Sequence, residues 1–336
     1  MTRIAVVILN YNGEKLLPQF LPSVIRNSPE VRIYVADNAS TDQSLHILKN
    51  DFPEVALLEF DKNYGFCGGY NRALRQISAT YYVLLNSDVE VTEGWLLPLW
   101  TLLDARPEIA AVQPKILAFR DRHLFEYAGA GGGLIDSLGY PFCRGRIFGH
   151  VEEDEGQYND EKPVFWASGA CMMIRADKFH EHKGFDEDFF AHMEEIDLCW
   201  KLNRAGSMIY YSGKSVVFHL GAGTLGYHSP RKTHLNFRNG LSLIFKHLDT
   251  GELIYKLPLR ILLDWLAALV FLLKGQGQNG VSVLRAHIDF LKMIKTLREK
   301  RKEIREKYPS YSRKNIHSGL IILDYYLHKR KTVPLQ

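Results

Sequence analysis

The chain has 336 residues, 46% of them hydrophobic and 24% charged, which excludes disordered, collagen-like and coiled-coil classes. A chain of this length buries a full core without disulfides or a structural metal, and corresponds to about two domains or one large domain with an appended segment. Its formal net charge of +4 hides an asymmetry: residues 1–228 carry 21 Lys and Arg against 30 Asp and Glu, net −9, and residues 229–336 carry 21 against 8, net +13.

Met1-Thr2-Arg3 leads into six apolar residues before Asn10, too few for the apolar region of a signal peptide. The β-branched runs Ile4–Leu9, Val31–Ala36, Val55–Phe60, Tyr81–Leu85 and Ala110–Ile116 read as buried strands. Between them Lys15–Arg26, Thr41–Asn50, Gly69–Gln76 and Trp95–Ala105 have helical spacing or helix-forming residues. Ser40, with Gln43 three positions on, matches a capping box and starts the second helix there. The alternation predicts an α/β fold, a mostly parallel sheet with helices on both faces. Such sheets bind ligands at the carboxyl ends of their strands. Polar clusters fall there: Asn10-Tyr11-Asn12, Asp37-Asn38 and Asn86-Ser87-Asp88.

Residues 128–162 change character. Four glycines between Gly129 and Gly133 and four carboxylates from Glu152 to Glu155 read as a long loop or irregular strand pair, with the acidic run as solvated surface. A compact block follows, with a strand near Cys171–Arg175, a helix over Glu195–Ala205 and a strand at Met208–Tyr211. The cysteines, Cys67, Cys143, Cys171 and Cys199, lie far apart without a CxxC pair and point to a reducing compartment.

Three acidic positions could carry chemistry. Asp37 could accept from a pyrimidine N3–H or a ribose hydroxyl, or it could, with Asn38, only shape a turn. Asp88, held at the sheet edge by the apolar run before it, is a plausible ligand of a hard cation. Glu194, Glu195 and Asp197 crowd at the start of a helix, whose N-terminus tolerates negative charge. Crowded carboxylates also raise one another's pKa, which a general base can use. His219, closing a strand-like VVFH, is either a metal ligand or structural. Lys115, Arg175 and Arg238 could each hold phosphate, and charge alone does not rank them.

Taken in order, the motifs resemble glycosyltransferase family 2, which has the GT-A fold, and most closely its rhamnosyltransferase branch for bacterial surface polysaccharides. They are VVILNYNG (6–13), VADNASTDQS (35–44), NYGFCGGYN (63–71), LLNSD (84–88), WASGACMMIR (166–175), GFDEDFF with MEEIDLCWKL (184–202), and VVFHLGAGT (216–224). The likeness spans about residues 4–240. It implies that Asp37 recognises the pyrimidine of a dTDP- or UDP-sugar, assisted by Asn10, Tyr11 and Asn12, with Asn63, Gly65 and Asn71 lining the same pocket. It implies that Asp88 and His219 bind a divalent cation, Mg²⁺ or Mn²⁺, and that Asn86 and Ser87 belong to the donor site. Glu195 would deprotonate the acceptor hydroxyl in an inverting single displacement. Two departures matter: the family's DxD begins here with Asn86, and its catalytic Glu-Asp pair reads Glu194-Glu195, leaving both glutamates as candidates for the base. Asp197 is then a supporting or acceptor-binding group.

The C-terminal third is read as helical. Leu257–Leu273 is apolar around most of its circumference, but its longest apolar stretch, Ile261–Leu273, contains Asp264 and falls short of the roughly 20 residues of a spanning helix. Ala286–Lys307 combines Ile288, Leu291, Ile294 and Leu297 with a run of Lys and Arg. The pair suits either the inner face of the cell membrane or a helical cap on the catalytic domain. The expectation is a GT-A domain over 1–228, a basic helical region over 229–336, and a lipid-linked or other glycan acceptor, with no nucleic-acid partner. Two rivals are a sugar nucleotidyltransferase and a non-catalytic glycan-binding scaffold. The first lacks its Gly-rich basic loop after the first strand, and the second would be expected to have lost carboxylates that are present here.

Overall fold

A computed structural model describes residues 2–221, 229–309, 313 and 315–333. The predicted domain boundary and the last residues of the VVFHLGAGT segment fall in 222–228 and lie outside the described residues. In chain order, β1 (Thr2–Asn10), α1 (Leu17–Asn27), β2 (Arg32–Asp37), α2 (Ser44–Asp51), β3 (Ala56–Glu59), α3 (Gly65–Arg75) and β4 (Ala79–Asn86) build the alternating half. The short β5 (Val89–Val91), α4 (Leu96–Ala105) and β6 (Ile109–Ala118) complete it. Next, β7 (Gly133–Asp136), β8 (Pro141–Cys143), β9 (Arg146–Ile147) and β10 (His150–Val151) form a small second sheet, which a C-terminal strand at Ile316–His317 joins beside β7. The chain then returns with β11 (Glu161–Val164), β12 (Cys171–Arg175), α5 (Ala176–Glu181), α6 (Glu194–Arg204) and β13 (Met208–His219). The C-terminal part holds α7 (Pro230–His247), α8 (Thr250–Leu273), α9 (Gly277–Lys292), α10 (Ile294–Lys307), β14 (Ile316–His317) and α11 (Ile321–Tyr326).

The main sheet runs β11-β13-β6-β12-β4-β1-β2-β3, with β5 paired to β13. Strands β1 to β4 are mutually parallel, and β12 enters antiparallel between β4 and β6. Both faces are covered, one by a core that includes Tyr70, Phe165 and Trp200, the other by a core that includes Leu21, Trp95 and Leu99. Burial on both faces is why these strands read as continuous apolar runs rather than alternating ones.

Several local expectations are corrected. Helix α2 begins at Ser44, and the Ser40 hydroxyl donates to Asp37 instead of capping it. The Asp42 carboxylate accepts from the Ser44 N–H and takes over that end. Strand β13 continues to His219 through an irregularity between Ser212 and Val216, a polar stretch that masks the strand in the sequence. The acidic run is only partly solvated. Asp154 pairs at 2.7 Å with Lys115, a buried ammonium, and Glu152 accepts from the Tyr158 hydroxyl. The segment Ala286–Lys307 divides at Met293 between α9 and α10.

Helix α7 is bound to the α/β part of the chain through buried charge. Lys246 pairs with Asp186 at 2.6 Å and Asp197 at 2.7 Å, and the His247 ring lies 2.8 Å from Asp197. Arg204 donates to the carbonyls of His247 and Tyr308. Removing one member of such a set leaves its partners charged and dry, which is far more costly than losing a surface pair.

Candidate active site

Asn10, Asp37 and Asn86 end neighbouring parallel strands at one level of the sheet, since Asn10 stands opposite Asp37 and Leu9 opposite Asn86. Adjacent strands are about 4.8 Å apart, so the polar groups line the sheet's carboxyl edge at that interval. The Asp37 carboxylate accepts from the Ser40 N–H (2.8 Å), the Ser40 hydroxyl (2.7 Å) and the Asn10 amide (2.9 Å). Asn12, at φ 54°, accepts from the Thr41 N–H, while its own N–H donates to Ser40. The two loops therefore hold each other before any ligand arrives. Tyr11 and Asn12 are exposed above them.

The next loop joins this edge through Asn38. Its amide donates to the Asn63 side chain and the Gly65 carbonyl, and it accepts from the Tyr64 N–H. Gly65 sits at φ +70°, and a Cβ there would stand 2.6 Å from the Phe190 ring. Only glycine satisfies both demands. Asn71 points elsewhere: its amide donates to the Phe185 carbonyl and accepts from the Phe185 N–H. It ties α3 to the 184–190 loop, so the two family-like segments clasp one another.

Asp88 follows β4, and the Leu220 N–H donates to its carbonyl, which brings the end of β13 alongside. His219 Nε2 lies 3.1 Å from Asp88 Oδ1 and 3.5 Å from the Asn86 amide. On the ring's other side, Nδ1 lies 3.1 Å from Glu126 Oε2. Burial pulls the imidazole pKa down, but the Glu126 and Asp88 carboxylates outweigh it and push it up to about 10. Glu126, isolated in LFEYAG, carries no motif, and only the fold brings it here. Ser87 sits half-buried between Asn86 and Asp88.

The loop before α6 is strained, with φ of 64° at Phe190, 68° at His192 and 71° at Met193. Buried Asn239 pins it by donating to the carbonyls of Phe189, Ala191 and His192, and Arg238 donates to Asp188 and Phe189. From the α3 side, the Phe66 and Cys67 N–H groups donate to the Phe190 carbonyl. This clamp sets Glu194 and Glu195. Glu194 is buried, whereas Glu195 remains partly exposed, and each has an enclosed Oε2 that accepts no hydrogen bond from the described residues. Burial, then the charge of Glu195, pushes the Glu194 carboxyl well above its usual range, and burial raises Glu195 to about 7. Asp197 points into the buried ion network instead and is held well below its ordinary value; burial opposes that shift, and Lys246, Lys201 and His247 outweigh it. The buried Cys143 thiol is pushed up to about 12 by burial.

None of the three basic candidates is idle. Lys115 holds Asp154, Arg175 donates to the carbonyls of Leu103 and Ile109, and Arg238 belongs to the clamp described above.

Residues 5–183 match the sequence model of glycosyl transferase family 2, more than half the chain. A relative in Mycobacterium tuberculosis, named N-acetylglucosaminyl-diphospho-decaprenol L-rhamnosyltransferase, is 29% identical over 240 residues, covering 66% of this chain and 77% of its own. The Escherichia coli rhamnosyltransferase WbbL is 24% identical, covering 61% and 79%. Among solved structures, GalNAc-T7 with UDP, GalNAc and Mn²⁺ superposes with a TM-score of 0.58 at 16% identity, over 74% of this chain and 49% of that one. The mannosyltransferase PcManGT from Pyrobaculum calidifontis gives 0.55 at 15%, over 92% and 83%. Motif order, strand-end geometry and these matches agree, and the chain is a member of glycosyltransferase family 2, rhamnosyltransferase-like, on a GT-A fold.

Proposed function

We propose that this glycosyltransferase moves a hexose such as rhamnose from a dTDP- or UDP-sugar to a polyprenyl-diphosphate-linked or other glycan acceptor, with inversion, at the inner face of the cell membrane. The product would be a bacterial cell-surface polysaccharide. The observation that carries the reading is the meeting of Asp88 and His219 at 3.1 Å, on the carboxyl edge where Asn10 and Asp37 close a preformed loop pair. The name of the mycobacterial relative supports the lipid-linked acceptor.

On this reading Asp37, Asn10, Tyr11, Asn12, Asn63 and Gly65 receive the nucleoside, with Asn86 and Ser87 toward the diphosphate. Asp88 Oδ1 and His219 Nε2 would hold Mg²⁺ or Mn²⁺, the ring after giving up the proton that the Glu126 and Asp88 carboxylates favour. Glu126 approaches the opposite nitrogen, so it orients the ring rather than sharing the ion. When bound, the cation neutralises charge on the departing nucleoside diphosphate. Glu195 accepts the proton of the acceptor hydroxyl as its oxygen bonds to the anomeric carbon and the bond from that carbon to the diphosphate breaks. Partial exposure favours Glu195 over buried Glu194 for a group that must meet substrate. Asn71, Asn239 and Asp197 position the segment that carries it.

A thermal-shift panel of dTDP, UDP and their sugars, with and without Mn²⁺, tests the reading, because a ligand that binds only the folded state raises the melting temperature. A rise with a pyrimidine diphosphate that deepens with Mn²⁺ is expected; folded protein silent across the panel would favour the scaffold alternative. Glu126→Gln should weaken Mn²⁺ binding by about 10- to 100-fold in calorimetry, the usual cost of losing the partner that orients a ligating histidine. Unchanged Mn²⁺ affinity would remove Glu126 from the site.

A further inference from the structure

Helix α8 is inside out for a helix on a water-facing surface. Its charged residues Glu252, Lys256, Arg260 and Asp264 recur every four positions and are all buried. Glu252 and Lys256 pair at 2.7 Å. Arg260 pairs with Asp264 at 2.9 Å, stacks 3.7 Å above the Tyr140 ring and donates to the Leu138 carbonyl. The opposite face is apolar and bare. Ile254, Leu262, Trp265 and Leu269 are each at least half exposed there, and Leu284 and Leu291 extend the stripe onto α9. At about 1.5 Å per residue the 24 residues of α8 make a strip roughly 36 Å long. Contiguous apolar surface on that scale marks an interaction site.

Charge identifies what covers it. At the start of α8, Arg305 of α10 donates to Thr250 and Asp249, and a groove lined by Arg298, Arg301, Lys302 and Arg305, with Glu306 beside Lys302, opens there. Lys274, exposed, follows the far end of the helix. The segment 229–336 that bears the stripe carries a net +13. Two copies meeting through it would bring like charges together, whereas an anionic lipid surface offers acyl chains to the stripe and phosphates to its basic margins. Among the described residues no helix is long and apolar enough to cross a membrane, and the buried charged row ties α8 to the protein.

We propose that α8 and α9 lie flat in the interface of an anionic phospholipid bilayer, apolar stripe down, with the α10 groove on lipid phosphates. This names the partner surface for the membrane placement given under the proposed function. Binding is read without donor or acceptor, so its failure would leave the transferase reading standing.

The full chain should float with vesicles of phosphatidylglycerol and phosphatidylcholine, and only weakly with phosphatidylcholine alone. Leu262→Glu with Leu269→Glu, both at exposed positions, should remain unbound with an unchanged melting temperature. Arg298→Glu with Lys302→Glu should weaken binding to the anionic vesicles roughly tenfold or more. Trp265 supplies a readout on unaltered protein: its emission, obtained by difference against Trp265→Phe, should shift to the blue with vesicles. Flotation unaffected by the leucine changes would overturn the proposal, as would a concentration-dependent dimer that those changes abolish in a protein that ignores vesicles.

Discussion

Glu195→Gln is expected to retain donor binding and to lose transfer by about 10²- to 10⁴-fold, the range that a positioned general base contributes. The substitution keeps size and hydrogen-bonding shape while removing the proton acceptor. Its companion prediction is a pH dependence. Burial raises the Glu195 carboxyl to about 7, and burial together with Glu195's charge holds Glu194 beside it well above its ordinary value. The neutral form of Glu195 cannot accept a proton, so kcat should climb tenfold per pH unit below about 7 and level off above it. Stopped assays across pH, with the Gln variant alongside, check both statements. Full turnover in Glu195→Gln would move the role to Glu194. A profile flat from acid to neutral pH would mean that proton removal does not limit the step.

The alternating half was legible because its strands are buried on both faces and end in polar clusters, so hydropathy alone located Asn10, Asp37 and Asp88 on one edge. Ordered motifs extended that reading to Glu195 and His219. What escaped depends on long-range placement. Glu126 meets His219 across 93 positions, and nothing in LFEYAG marks it. The support of the Glu194-Glu195 segment was equally hidden: Asn239 and Lys246 act on residues 186–197 from a helix some fifty residues away. Ser40 and Gln43 satisfied a capping pattern, but Asp37 outbid helix α2 for the serine hydroxyl, a tertiary contact overriding a local one. In α8 the sequence read as apolar around most of its circumference, so the row Glu252, Lys256, Arg260 and Asp264 and the way it faces went unread. The ordinary assumption, charge to water, is reversed because Tyr140, Leu138 and the chain's own counter-charges receive the charged row.

Asp88→Asn should abolish the effect of Mn²⁺ on donor binding. The replacement is nearly isosteric and can still hydrogen-bond His219, so the fold should survive; what disappears is the charge. With Asn86 already neutral, Asp88 is the carboxylate of the LLNSD segment, and Glu126 lies behind the imidazole where it cannot share an ion with Asp88. An enzyme with DxD would keep a second carboxylate after such a change, but this one would not. For the parent protein, a donor at a hundred times its dissociation constant stabilises the fold by about 2.7 kcal/mol. The part of that stabilisation that depends on Mn²⁺ should vanish in the variant, leaving the same melting temperature with and without the ion. The variant's neutral side chain should also lower the His219 pKa below about 10, since one of the two carboxylates that raise it is gone. An NMR titration of the ring would show that shift independently of donor or metal. A variant that still gains stability from Mn²⁺ in the presence of donor would take Asp88 out of the cation's coordination, whatever happened to turnover.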